Sequence, residues 1–224
     1  MPAQPLPAQP GPILIAPRVR SRLDPQERQS LILDNAAAII AREGVSALSM
    51  ERIGREAGVS KSLVYAYFPS LTELLRQLLQ RELRRLRRLQ ASAAAQAQSF
   101  EGLVRAVTHV YLKYIAERGL IIERLQAEPA VSAGHDPTEY SRETAVDYLA
   151  EVVAAHFDLP LDMARAATEI SFGLPAVAGA RLLHGTMSRE QLEDMTVAMI
   201  VGCITELKRR QLETKPLRPP APHP

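Results

Sequence analysis

Between two proline-rich ends, apolar residues in this chain recur three and four positions apart, and no run alternates apolar with polar over the length of a strand. A period near 3.6 turns one face of an α-helix toward a core, whereas a half-buried strand needs a period of two. Alanine, leucine and arginine, all good helix formers, fill the same stretches. The chain is therefore expected to be all-α. Its 224 residues, 46% of them hydrophobic, suffice to bury a full core.

The ends read differently. Six prolines in the first 17 residues, with "PAQP" occurring twice, predict an extended arm over residues 1–22, and "KPLRPPAPHP" predicts the same for 214–224. The one aliphatic run of the arm, "ILIA", falls far short of a signal peptide or a membrane span. One cysteine, Cys203, supports neither an intrachain disulfide framework nor a multi-cysteine metal site, and it reads as a small buried hydrophobe. A cytoplasmic protein with no membrane partner is expected.

Net charge is +2, which conceals a polarity. Residues 1–90 carry 14 Lys and Arg against 8 Asp and Glu, while 91–224 carry 13 against 17. A basic first third on a mildly acidic body suggests an anion-binding module, with nucleic acid the leading candidate.

Local signals locate that module at residues 23–72. In "DPQE", Asp24 suits the N-cap, Pro25 the first helical position and Glu27 the return arm of a capping box; Gly44 permits a left-handed stop. Ser49 caps a short second helix with Met50, Ile53 and Ala57 on one face. Ala57, Gly58 and Val59 form a turn, and Ser60 caps a third helix in which Val64 and Phe68 face inward. Ser62 and Ala66 point the opposite way, Tyr65 and Tyr67 flank the seam, and Pro69 ends the helix. Two short helices joined by a glycine turn form a helix-turn-helix, whose second helix enters the DNA major groove with its first amides near a phosphate.

The stretch "LSMERIGREAGVSKSLVYAYFPSLTELL", residues 48–75, resembles the DNA-binding domain of the TetR family of bacterial transcriptional regulators in cap, turn, core and tyrosines, in order and without a gap. The resemblance implies that Ser49, Arg52, Lys61, Ser62, Leu63, Tyr65 and Tyr67 face double-stranded DNA. It further implies a homodimer on a palindromic operator, released by a small, largely apolar effector. Gly54 departs from the family's usual alanine, at a cost of ~1 kcal/mol to helix propensity, and Leu71 replaces a lysine that usually touches the DNA backbone. Arg18, Arg20 and Arg22 either reach an adjacent groove or belong to a solvated tail. The six arginines between 76 and 88 are read mainly as the solvated face of a long helix.

Residues 73–213 form the expected ligand-binding and dimerisation domain, with breaks near Gly119, at "EPAVSAGHDP", at "LP" 159–160 and at "HGTMS" 184–188. Tyr111, Tyr114, Tyr148, His156, Phe172 and His184 are candidates to line a pocket beside a kink at Pro175. Ser171, Ala178, Gly179, Ala198 and Gly202 are candidates for a dimer interface, since small residues let helices approach closely. The five histidines have no metal-ligand spacing, and no phosphate loop or nucleophile motif occurs. No catalytic residue, metal or cofactor is therefore assigned. The competing class is a ligand-independent DNA-binding protein whose solidly packed second domain recruits a protein partner.

Overall fold

A computed structural model describes residues 24–132 and 139–214. The expectations for the arm with Arg18, Arg20 and Arg22, for residues 133–138 of the "EPAVSAGHDP" segment and for residues 215–224 of the tail lie outside these residues. Among the described residues all regular structure is helical: α1 Pro25–Glu43, α2 Met50–Ala57, α3 Lys61–Tyr67, α4 Leu71–Ala94, α5 Phe100–Gln126, α6 Pro129–Ser132, α7 Glu139–Phe157, α8 Leu161–Ser171, α9 Gly173–His184 and α10 Arg189–Thr214.

The expected caps form. Asp24 Oδ1 accepts from Glu27 N at 2.8 Å, and Glu27 Oε2 accepts from Asp24 N at 2.9 Å, closing the box on α1. Ser49 and Ser60 each accept from an amide three residues on, starting α2 and α3, and Ser70 and Ser99, not singled out from the sequence, do the same for α4 and α5. Gly58 takes a left-handed conformation (φ 67°, ψ 28°) that a side chain would oppose. Gly44 has φ 91° with ψ 175°, so α1 ends through an extended glycine conformation, not the expected left-handed cap, and a 3-10 turn follows over Val45–Ala47.

A seven-residue helix is unstable alone, because isolated helices shorter than ~12–15 residues are marginal in water. Tertiary burial holds α3: Val64 and Phe68 are wholly buried with Ile32, Ile39, Ile40, Ile53, Leu74 and Leu78. Each such side chain stabilises the fold by roughly 1.5–3 kcal/mol relative to its exposed state. Gly54 belongs to the same packing. A Cβ there would stand 3.0 Å from the Val59 carbonyl oxygen and 3.2 Å from Val64 Cγ2, so its absence allows α3 to seat closely on α2.

Helix α5 is the axis of the second layer, flanked by α4, α9 and α10, while α7 packs on α8. The break expected at Gly119 does not occur. That glycine is buried under α9, where a Cβ would meet Leu183 Cδ1 at 3.0 Å and Ile115 Cγ2 at 2.9 Å. The kink expected from Pro175 appears as an interruption at Phe172 between α8 and α9, since proline supplies no amide to the carbonyl four residues earlier.

Three polar contacts tie the layers together. Glu82, 1% exposed within the apolar stripe of α4, accepts from Arg118 Nε at 2.9 Å, Arg118 Nη2 at 2.8 Å and the Tyr114 hydroxyl at 2.8 Å, all from α5. Burial pushes its carboxyl upward, but Arg118, Tyr114 and Arg81 together hold it below the usual carboxylate range. From the far end of α5, Arg124 donates to the carbonyls of Ile40 and Ala41 at the end of α1. Arg81 of α4 pairs with Asp34 of α1 at 2.9 Å.

Candidate functional site

The outer face of α3 is built on the buried Val64 and Phe68. Lys61, Ser62 and Tyr65 are exposed, Tyr65 by 47%, and Leu63 and Tyr67 are half-buried at the edges. Ser60 Oγ accepts the Leu63 amide and lies 3.0 Å from Ser62 Oγ, so two hydroxyls crowd the N-terminus of α3. Lys61 Nζ sits 3.8 Å from Glu51 of α2, an exposed and readily exchanged partner. Ser49 is exposed while capping α2. Arg55 is exposed one turn beyond Glu51 on the same side of α2. The cation at this spacing was legible in the sequence but carried no motif.

Arg52 is placed otherwise than the resemblance implies. Its guanidinium turns back across α2, bonding Glu43 at 2.6 and 2.9 Å, Glu56 at 3.1 Å and the Ala47 carbonyl at 3.2 Å. Glu56 also takes Arg42 Nη2 at 3.0 Å. The Arg52 hydrogen bond holds Glu43 below the usual carboxylate range, hydrogen bonds from Arg42 and Arg52 do the same for Glu56, and Arg52 itself is raised by hydrogen bonds to both acids. Arg52 is thus a strut between α2 and the end of α1. Leu71 is half-buried against the core of this module and offers no charge to a phosphate.

The second layer holds a half-open cavity of about 260 Å³ among α4, α5 and α7–α10. Of the six residues expected to line it, Tyr111 and Phe172 do, as does Pro175. Tyr114 is buried beside Glu82 and donates to it. Tyr148 is exposed and lines a wider groove outside. His156 lies against Phe100 and Phe157 on the outer side of α7. His184 is exposed and 2.9 Å from Glu123.

The expected dimer residues divide as sharply. Ser171 lines the cavity and donates to the Ala167 carbonyl at 2.7 Å. Ala178 packs with Leu112 and Leu192, and a Cβ on Gly179 would stand 3.1 Å from the Tyr111 ring, so both serve packing within the subunit. Ala198 and Gly202 are exposed on α10, with open space at the Gly202 Cβ position and Met195 and Met199 exposed on the same helix. Cys203 is exposed too, contrary to expectation, because α10 buries the stripe of Leu192, Thr196, Val197, Ile200 and Ile204 and turns Cys203 off it. Among the described residues no three His, Cys, Asp or Glu side chains converge as a metal site, and no helix is long and apolar enough to cross a membrane.

The geometry agrees with comparison to known proteins. Residues 32–78, spanning the greater part of α1 through the first turns of α4, match the sequence profile of the bacterial regulatory proteins of the tetR family. The helix-turn-helix module is thus similar to that of tetR-family regulators. An HTH-type transcriptional regulator BetI from Agrobacterium fabrum is 35% identical over 88 residues, 39% of this chain and 42% of that protein. An HTH-type transcriptional repressor from Streptomyces coelicolor is 33% identical over 60 residues, 27% of this chain and 31% of that protein. The chain thus aligns with less than half the length of either curated relative. The TetR-like fold extends further: a tetR-family regulator from Streptomyces coelicolor superposes with a TM-score of 0.66 at 22% identity, covering 87% of this chain and 92% of the other. A TetR-like regulator from Rhodococcus sp. RHA1 gives 0.60 at 20% identity, over 87% of this chain and all of the other.

Proposed function

We propose that this protein is a homodimeric transcriptional repressor that binds a palindromic operator through α3 and is released from it by a small, largely apolar effector bound in the second domain. The observation that carries the DNA-binding part is the α3 face itself: Lys61, Ser62 and Tyr65 exposed on a helix fixed by Val64 and Phe68, with its capped N-terminus outward. A helix so held presents base-reading side chains without first having to order them. Lys61 and Arg55 supply phosphate contacts, Ser62 and Tyr65 reach base edges, and Tyr67 and Leu63 border the backbone. Arg52 acts through the strut.

One reading helix spans too few bases for a unique site, so two are required, about one helical turn, ~34 Å, apart or a small multiple of it. The exposed Met195, Ala198, Met199 and Gly202 on α10 and Val177 on α9 support a helix-on-helix contact between two copies. The cavity favours the effector-controlled reading over a packed, partner-recruiting domain. Selection of bound duplexes from a random pool tests the proposal. Inverted half-sites at helical spacing are expected; a site with no inverted symmetry overturns the dimeric reading.

A further inference from the structure

Among the described residues the buried polar and charged side chains are Glu82, Thr108, Thr168 and Thr196. Three of them are committed. Glu82 holds Arg118 and Tyr114, Thr168 donates to the Ala164 carbonyl at 2.8 Å, and Thr196 donates to the Leu192 carbonyl at 2.6 Å. The last two are the return bonds of a helical threonine to the carbonyl four residues back. Thr108, 2% exposed, makes no such bond to Val104 and no other side-chain hydrogen bond to a described residue. Tyr111 repeats the pattern: its neighbour Tyr114 gives a hydroxyl to Glu82, while that of Tyr111 is uncommitted among the described residues. A hydroxyl taken out of water without a partner is costly, so two of them side by side call for an acceptor.

Both hydroxyls belong to one wall. Thr108 and Tyr111 stand three residues apart on α5, hence on one face with Cβ atoms about 5–6 Å from each other, and both side chains line the half-open cavity. Around them the wall is apolar, with Leu103, Val104, Val153 and Ile200. Gly179 of α9 leaves the phenol its place, since a Cβ there would stand 3.1 Å from Tyr111 Cε1 and 3.2 Å from the hydroxyl oxygen. Burial raises the Tyr111 phenol above its ordinary range, so it stays a neutral donor. The other polar lining is engaged or wet. Thr168 and Ser171 donate to their own helix, Arg87 already has a partner within the protein, Gln90 also lines the outer groove, and Arg142 is exposed, 6.0 Å over the Phe172 ring. What the inner wall offers a ligand is therefore a pair of uncharged donors.

We propose that the effector is a neutral, predominantly apolar carbonyl compound whose oxygen accepts from the hydroxyls of Thr108 and Tyr111 together. This deepens the effector-controlled reading and rests on it. A carbonyl oxygen has two lone pairs and no proton, which matches two donors exactly once each. An alcohol brings a proton of its own that needs a further acceptor, and a carboxylate brings a charge that must be desolvated beside two neutral groups. At ~30 Å³ for each water-sized group, about 260 Å³ takes roughly nine heavy atoms. Because the cavity is half-open, a longer apolar tail continues through the mouth past Phe172.

The test is titration calorimetry on the full chain with acetophenone, α-methylstyrene and benzoate, which have the same number of heavy atoms. Acetophenone and α-methylstyrene differ only by a carbonyl oxygen in place of a methylene, and benzoate adds the charge. Acetophenone is expected to bind, and more tightly than benzoate. In Thr108→Val and in Tyr111→Phe, each of which deletes one donor and little else, the ratio of acetophenone to α-methylstyrene affinity should fall ~10-fold. The affinity for α-methylstyrene itself should stay level or rise, which reports an intact cavity in both variants. An unchanged ratio in either variant, tighter binding of benzoate than of acetophenone, or no binding of acetophenone to the unaltered protein overturns the proposal. Affinity for a selected operator is measured separately: acetophenone that binds through both hydroxyls but leaves operator affinity unchanged keeps the carbonyl site and refutes effector control.

Discussion

Replacing Arg118 by methionine isolates the contribution of the buried carboxylate between α4 and α5. Glu82 is 1% exposed and takes two of its short hydrogen bonds from Arg118, at 2.8 and 2.9 Å. Methionine preserves most of the aliphatic stem and removes the charge and both donors. Breaking a buried pair by deleting one partner costs about 3–5 kcal/mol. The lower end applies, because Tyr114 still donates at 2.8 Å and Arg81 remains 3.3 Å away. A loss of ~3 kcal/mol, or ~6–12 °C in Tm at ~2–4 °C per kcal/mol for a chain of this size, is expected in urea and thermal unfolding at one fixed protein concentration. Glu82→Leu in the same chain should recover most of it, since no unpaired charge is then buried and the Tyr114 hydroxyl keeps the Glu82 backbone carbonyl at 3.2 Å.

Acidity provides the second readout. In the unaltered protein the folded pKa of Glu82 lies below its unfolded value, so its stabilisation is present above the unfolded pKa of ~4.3 and is lost as pH falls through the folded pKa. Without Arg118, burial dominates and the folded pKa moves up. The deficit of Arg118→Met should therefore be largest at neutral pH and shrink toward pH ~4. A deficit under ~1 kcal/mol at pH 7, or a double variant as unstable as the single one, would refute the reasoning.

Lys61→Ala should weaken binding to all DNA sequences alike and reduce the slope of log affinity against log salt by ~0.9, whereas Tyr65→Ala should alter preference at one base position by ~1–3 kcal/mol; footprint titrations across salt concentrations separate the two. Arg52→Gln should lower operator affinity with no change of salt slope, because the strut meets carboxylates and not phosphates; a slope reduced by a full unit would return Arg52 to the DNA. Gly202→Arg, at a position with open space around it, should fold normally, sediment as a monomer and lose operator affinity with the loss of linkage between half-sites. An intact dimer in sedimentation would place the subunit contact elsewhere.

What the sequence discloses about this molecule is mostly local. Caps at Asp24, Ser49 and Ser60, the glycine turn and the inward Val64 and Phe68 depend on neighbours within a few residues, and all appear as expected. What it conceals depends on partners from other helices. Arg52 looks like a DNA contact until Glu43 and Glu56 close around it. Glu82 reads as one charge among many on α4, although its place four residues after the buried Leu78 and four before Leu86 puts it on the core stripe, a periodicity that could have found it. Gly179 signals close approach correctly and Gly119, expected as a break, does so inside α5, but only the fold shows that the approaching elements are Tyr111 and Leu183 of the same subunit. The cavity was legible in its Tyr111, Phe172 and Pro175 and hidden in its arginines, because Arg142 and Arg87 come from helices distant in sequence.

The grip of Arg124 on the last carbonyls of α1 has a mechanical consequence. It pins the DNA-binding module to α5 on one side, while the wide groove separates α1 and α4 from α7 on the other. On the proposed function, that arrangement would let the module tilt about its pinned side. Helix α4, 24 residues long, spans ~36 Å at ~1.5 Å per residue, so a tilt of only ~5° carries its end through ~3 Å. That is the full length of a hydrogen bond, and in the proposed symmetric dimer both reading helices would move at once, so their spacing would change by up to twice as much. On the proposed function, an effector that widened the gap would thus produce, without unfolding anything, a mismatch against a ruler as rigid as the DNA helical repeat.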